Sequence, residues 1–219
     1  MDTEHIISTA IPTLTPEDNA DRALALMDDN KLNQIAVVTA DNYIGLLNEN
    51  DLLDLTHPEA SFTQSDLLHY KPAILNSAHP FDAFRLMHDM KLSLLPVIDR
   101  EHKYLGCITR EGLIKYMTEN GGFNMPGGIV VLEITPRNYT MVEIARICEN
   151  EDVIIMNTMV HPNEAGMLEV TLKLNRTSIE AVVSSFERHG YHVKEEYGAD
   201  HVDDDVTDKY NLLMNYINM

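Results

Sequence analysis

The sequence predicts an α+β protein: two β-α-β-β-α repeats, then a β-α-β-β-α-β unit and a C-terminal helix. Three observations carry this expectation. The segment Ala23-Leu24-Ala25-Leu26-Met27-Asp28-Asp29-Asn30-Lys31-Leu32 returns as Ala83-Phe84-Arg85-Leu86-Met87-His88-Asp89-Met90-Lys91-Leu92, a shift of 60 (83 − 23), and a copied supersecondary unit packs most simply as a pseudo-symmetric pair. Residues 120–128 hold four glycines and a proline, which support no regular element. Beyond that break, helical and alternating apolar periods follow one another as far as residue 197.

The first repeat spans residues 8–60. Ile11 and Leu14 flank Pro12 and predict a short extended segment. Asn19 is a good N-cap, with Ala20, Ala23, Leu24 and Met27 behind it at helical spacing. Asp28-Asp29-Asn30 ends that helix. Gln34 to Val38 is a short apolar strand, Asp41-Asn42 a turn, Tyr43 to Leu47 a second strand and Glu49 to Leu55 a second helix. The second repeat, 66–119, follows the same order. His79 stands at the cap and Pro80 at the first helical position, where the fixed proline φ fits. One inserted residue raises the shift to 61, so that Gly45 meets Gly106 and Leu52 meets Leu113. The methionine-bearing stripes are expected in the core.

After the 120–128 linker, residues 129–198 form the third unit. Ile129 to Ile134 is a β-branched strand, and Met141, Ile144, Ala145 and Cys148 mark a helix. Val153 to Val160 and Leu168 to Leu174 are strands. Thr177-Ser178-Ile179-Glu180 is expected to be a capping box, and Tyr191 to Tyr197 a last strand after Gly190. This is the ferredoxin-like order. In the tail, 199–219, an acidic run from Asp200 to Asp205 precedes an amphipathic helix expected over 206–218.

Composition narrows the function. Hydrophobic residues are 44% of 219, enough for a core, and 35 acids against 16 bases give a charge of −19. Such a surface repels nucleic acid and anionic membranes. Small anions stay open as ligands, since helix N-termini bind them. Cys107 and Cys148 sit in apolar patterns and are expected as buried thiols in a reducing compartment. The acidic start Met1-Asp2-Thr3-Glu4-His5 is not followed by a long apolar run, so the expectation is a cytoplasmic protein with neither signal peptide nor spanning helix.

The second strands end in Gly45-Leu46-Leu47-Asn48-Glu49-Asn50-Asp51 and Gly106-Cys107-Ile108-Thr109-Arg110-Glu111-Gly112. Both stretches resemble the CBS domain signature of Gly, apolar, any residue, Thr or Ser, two residues, then Asp. Leu95-Pro96-Val97-Ile98-Asp99 resembles the strand that precedes it. The resemblance covers residues 8–118 and implies a tandem pair, or Bateman module, with adenosine nucleotides held in clefts between the repeats. It implies ribose hydroxyls on the Asp51 carboxylate and a phosphate at the strand-to-helix corner by Asn48 or Thr109, with Arg110 assisting. Both copies depart from the signature, since Asn48 replaces the hydroxyl residue and Gly112 replaces the second aspartate. Asp51 and Thr109 also suit plain helix capping.

The third unit, with His189-Gly190-Tyr191-His192-Val193 at a helix end, resembles an ACT domain, a resemblance that implies amino-acid binding or sheet pairing. Its loop Pro136-Arg137-Asn138-Tyr139 has Tyr139 where that family's glycine lets a ligand approach, so a packing role fits equally. Two CBS-like repeats before an ACT-like unit is similar to the acetoin utilisation protein B family. That resemblance implies a homodimeric, non-catalytic sensor, with AMP, ADP, ATP or S-adenosylmethionine as regulatory ligand rather than cofactor. The alternative is a constitutive dimeric scaffold with decayed pockets that holds an unidentified protein partner. No Walker loop, dinucleotide fingerprint or nucleophile elbow occurs. Gly190 separates His189 from His192, so neither an enzyme nor a metal site is expected.

Overall fold

The computed structural model describes residues 3–64 and 66–199; the helix expected over 206–218 lies outside them. The chain divides into two compact units, Met1–Tyr116 and Met117–Met219.

In the first unit, repeat 1 comprises α1 (Ala20–Asp29), β1 (Gln34–Thr39), β2 (Asn42–Asn48) and α2 (Glu49–Leu53). Repeat 2 comprises β3 (Ile74–Leu75), α3 (Pro80–Asp89), β4 (Leu94–Ile98), β5 (Tyr104–Thr109) and α4 (Arg110–Asn120). The caps form as the sequence predicts: Asn19 Oδ1 accepts the Arg22 N–H at 3.1 Å, and the His79 ring accepts that of Phe81 at 3.1 Å, with Pro80 opening α3. Met27 and Met87 are 1% and 5% exposed, core residues both.

Three expectations need adjustment. The strand expected around Ile11–Leu14 reduces to one bridge from Leu14 to Val37, and β3 has only two residues; Pro12, without an N–H, cannot extend a ladder. The second helix of repeat 1 stops at Leu53, short of Leu55, with Asp54 as its C-cap. Asn120 is the last residue of α4 rather than the first of the linker, so the unit boundary at Tyr116 falls inside that helix.

The two repeats meet through reciprocal contacts between equivalent positions. Tyr43 N–H donates to His102 O at 3.3 Å and Tyr104 N–H to Asp41 O at 2.7 Å, with Asn42 bridging Lys103. Each of these residues stands 61 from its counterpart (102 − 41, 103 − 42, 104 − 43), as a pseudo-two-fold relation requires. At the opposite end of the hairpins, buried Ser93 accepts the Asn33 N–H on its hydroxyl at 3.0 Å. The Ser93 N–H and O–H both donate to Oε1 of buried Gln34. Ala36 and Leu46 of the first hairpin join Leu95, Val97 and Ile108 of the second in a single apolar cluster.

The leading segments cross between repeats. Ser8 and Cys107 exchange backbone hydrogen bonds at 2.8 and 3.0 Å, which lays the leader of repeat 1 on β5 of repeat 2. In return, Leu46 N–H donates to Tyr70 O at 2.8 Å, which lays the leader of repeat 2 on β2 of repeat 1. These crossings explain the paired glycines. A Cβ on Gly106, whose φ is +137°, would lie 2.7 Å from Ser8 O and 2.5 Å from Ile7 Cγ2. One on Gly45 would lie 3.0 Å from Leu68 O.

The second unit runs β6 (Ile129–Ile134), α5 (Met141–Asn150), β7 (Ile155–Pro162), β8 (Leu168–Leu174), α6 (Glu180–Arg188) and β9 (His192–Tyr197). Its antiparallel sheet has the order β7-β8-β6-β9, the β-α-β-β-α-β arrangement expected from the sequence. Val130, Leu132, Val170 and Leu172 on one sheet face pack with Ile144, Ile147, Val182 and Phe186 of the two helices. The expected capping box does not form. Ile179, with ψ near 0°, occupies the cap position, and the Ser178 hydroxyl bonds Glu180 Oε2 at 2.8 Å instead of the backbone. Across the four strands run His161, Glu169, Glu133 and His192 as cross-strand neighbours. Lys194 donates to Glu169 and Asn163 to Glu133, so a cation neutralises one of the paired carboxylates and an amide hydrogen-bonds the other. Among the described residues no helix is long and apolar enough to cross a membrane.

Candidate functional site

β2 turns into α2 at Asn48, whose extended backbone (φ −103°, ψ 143°) points the chain into the helix. Its side chain does not cap the backbone; Nδ2 donates to Asp51 Oδ2 at 2.9 Å. That bond fixes the carboxylate three residues along, on the same helix face. It also engages the amide donor for which the sequence offers a phosphate.

Asn48, Glu49 and Asp51 of repeat 1 face Lys91 and Arg110 of repeat 2 across a cleft of about 350 Å³, with Gln34 also in its wall. The size is at the low end for small-molecule sites. Arg110 is held by its own repeat: Nε donates to Leu92 O at 2.8 Å, Nη2 to Lys91 O at 3.3 Å, and its backbone N–H to Ser93 O at 3.3 Å. Glu49 is anchored likewise, Oε2 accepting from Asn33 Nδ2 at 2.8 Å and the backbone N–H donating to Asn33 O at 2.9 Å. The cleft therefore opens where the Ser93–Asn33–Gln34 network joins the repeats. Its walls carry two carboxylates and two cations.

Of the residues singled out in the sequence, Asn48, Asp51 and Arg110 line this cleft together, and Thr109 does not. The Thr109 hydroxyl instead accepts the Gly112 N–H at 3.0 Å, the capping role. Sequence reasoning missed three participants. Lys91 arrives from the α3–β4 turn, which no motif marks. Gln34 is buried by the repeat contact. Tyr70, on the crossing leader, lies close to Asp51: burial first, then the Asp51 charge, raises its phenol pKa above the ordinary value. The repeat itself held one usable signal, since the partner of Lys31, Asp28 at 3.2 Å, is replaced by His88 beside Lys91.

Other hollows occur among the described residues. One, of about 860 Å³, lies between α3 and α4; it is mostly apolar and shares Lys91 and Arg110 with the cleft. Another, of about 450 Å³, is in the second unit and includes Arg137, Glu143 and Tyr191. There Tyr191 Oη donates to Glu143 Oε2 at 3.1 Å, and burial followed by that contact pushes its phenol up to about 12. Tyr139, in the loop between β6 and α5, packs against the unit's core. Among the described residues no group of three His, Cys, Asp or Glu side chains is placed to hold a metal ion.

Two pseudo-symmetric α+β halves sharing a small polar cleft define a paired module. Residues 4–57 and 65–119 match the CBS domain family, so this part of the chain is a tandem pair of CBS domains. Solved structures similar to it include a CBS domain pair/ACT domain protein from Thermotoga maritima, at 20% identity and TM-score 0.47, covering 54% of this chain and 98% of that one. CBSX2 of Arabidopsis thaliana in complex with AMP gives 23% identity and TM-score 0.47, over 54% of this chain and 96% of its own. An acetoin utilization protein from Vibrio cholerae gives 18% and 0.46, over 54% and 91%.

Proposed function

We propose that the CBS pair binds an adenosine-containing nucleotide in the Asp51 cleft and that the protein is a non-catalytic regulator. CBS pairs are generally regulatory modules that take adenosine nucleotides, and residues 4–57 and 65–119 match that family. The observation that carries the reading is that Asp51 of one repeat and Arg110 of the other line the same cleft. Asp51 Oδ1 has no hydrogen-bond partner among the described residues, so the carboxylate retains acceptor capacity for ribose hydroxyls. A ligand touching both repeats binds more tightly to one relative setting of them, and that differential affinity is what shifts a conformational equilibrium. In this proposal the segment 117–128 passes the shift to the second unit, which acts as an ACT-like relay, and the protein is a homodimer.

Calorimetric titration of the full chain with AMP, ADP, ATP and S-adenosylmethionine tests the reading. Binding weakened at least about 10-fold by Asp51→Ala is expected, from the ~1.5–3 kcal/mol of a charged hydrogen bond. Equal binding by wild type and variant would refute it. The scaffold reading draws on a specific observation too. Asn48 already satisfies one oxygen of Asp51, and Thr109 is used up as a cap beside Gly112. Silence toward all four compounds, with a dimer measured by light scattering, would favour it.

A further inference from the structure

One end of the sheet in the second unit is a row of paired residues: Tyr197 on β9, Ile129 on β6, Lys173 on β8 and Asn157 on β7. Three strand spacings of about 4.8 Å make that row about 14 Å long. At its β7 end, the segment after α4 lies on the strand. Asn157 Nδ2 donates to Gly121 O at 2.8 Å, and a Cβ on Gly122 would lie 3.5 Å from Met156 Cβ. Four apolar side chains are left uncovered there, Phe123 and Met125 on the segment and Ile154 and Met156 at the start of β7, between 37% and 61% exposed. Apolar side chains grouped in one place on a surface mark a site of contact.

The chain itself supplies an occupant. Its described part ends at Ala199, just past β9, where the Ala199 N–H donates to Thr177 O at 2.9 Å. That is the other end of the same row. Residues 200–205 follow and carry Asp200, Asp203, Asp204 and Asp205. Six extended residues reach about 20 Å, more than the row requires. Between the two ends of the row stand Lys173 and, just past β8, Arg176, opposite in charge to those aspartates. Beyond the aspartates, Val206, Tyr210, Leu213 and Ile217 recur at intervals of four, three and four, the apolar stripe of one helix face. A helix over 206–218 is of the length at which isolated helices are marginal in water, so it needs a surface to pack on.

We infer that residues 206–218 form a helix whose apolar stripe docks on the patch at the start of β7 in the same chain, with the aspartate run lying along Lys173 and Arg176. The docked tail covers the exposed side chains of β7. It also bears on residues 121–125, the segment that leads from α4 towards β6.

The chain has no tryptophan, so Leu213→Trp places a single reporter in the stripe. In the full chain its emission should lie to the blue of its position in denaturant, at every protein concentration. Adding Ile154→Asp or Met156→Asp should move it to the denatured position. Both side chains are exposed, so neither charge enters the core, and circular dichroism should be unchanged. Val142→Asp, an exposed site at the opposite end of the sheet, should leave the emission where it was. Trypsin gives a check without the reporter, because Lys209 lies inside the tail. Cleavage after Lys209 should be at least about 10-fold faster in Ile154→Asp than in the wild type, since it tracks the undocked population. Emission at the denatured position in Leu213→Trp alone, or a blue emission that both aspartate variants leave in place, overturns the inference. So does a blue emission lost on dilution together with a dimer in light scattering, which would seat the tail on a second copy.

Discussion

Tyr43 and Tyr104 stand at the same place in the two repeats and face one another, ring centroids 6.4 Å apart and planes 26° from parallel. Burial raises both phenols well above their ordinary pKa, and the Tyr43 hydroxyl donates to Pro72 O at 2.9 Å. They close one end of the repeat contact, and the Ser93 network closes the other.

The Ser93 network yields the first prediction. Ser93→Ala deprives the Asn33 N–H of its acceptor and Gln34 Oε1 of one of its donors, and both Ser93 and Gln34 are buried. A loss of about 1–3 kcal/mol is expected by urea denaturation. In a double-mutant cycle with Gln34→Leu the two losses should fall short of additive, because the second change removes the acceptor that the first leaves under-satisfied.

Gly106 and Gly45 provide a graded pair. Gly106→Ala meets both the left-handed φ of +137° and the Ser8 backbone, and should cost about 2–4 kcal/mol. Gly45→Ala meets the Leu68 backbone at no less than 3.0 Å, without a left-handed φ, and should cost less. Equal midpoints for the two variants in denaturant would contradict the crossing as the reason for these glycines.

Burial pushes the Cys107 and Cys148 thiols up to about 11 each. A thiol whose folded pKa exceeds its unfolded one stabilises the fold below the unfolded value, and that contribution is lost as pH rises through the folded value. Unfolding should therefore become easier between about pH 9 and about pH 11. At about pH 8, alkylation should be slow in the native protein and fast in denaturant. Rapid labelling without denaturant would contradict the burial.

On the sheet of the second unit, the hydrogen bond from Lys194 is the chief cause holding the Glu169 carboxyl below its ordinary range, although that side chain keeps only 15% exposure. A depressed carboxylate contributes stability above its unfolded pKa and loses it as pH falls through the folded value. Melting followed from about pH 6 to about pH 3 should show an acid limb that flattens in Glu169→Gln. Unchanged acid behaviour in the variant would place the limb elsewhere.

The two repeats, their caps and the four-stranded unit were legible because their causes are local: Asn19, His79-Pro80 and the apolar periods act within a turn or two. Asn48, Asp51 and Arg110 could be named from a short motif, for the same reason. Lys91 and Gln34 could not, because each reaches the cleft only through the packing of one repeat on the other; nor could Tyr70, which comes near Asp51 only through the crossing of a leader. Thr109 misled because a hydroxyl that can meet a ligand is equally suited to cap its own helix. The capping box at Thr177-Ser178-Ile179-Glu180 failed for a related reason, Ser178 finding the Glu180 carboxylate before it found the backbone.

The exchange of leaders has a consequence for ancestry. Ser8 completes β5 of the far half and Tyr70 completes β2 of the near one, so neither half is finished by its own chain. A precursor with a single half could have satisfied the same edges only by lending its first residues to a second molecule. Fusion of the two genes would then have turned a swapped dimer into one polypeptide and left each copy free to diverge, and the equivalent positions Asp28 and His88 now differ.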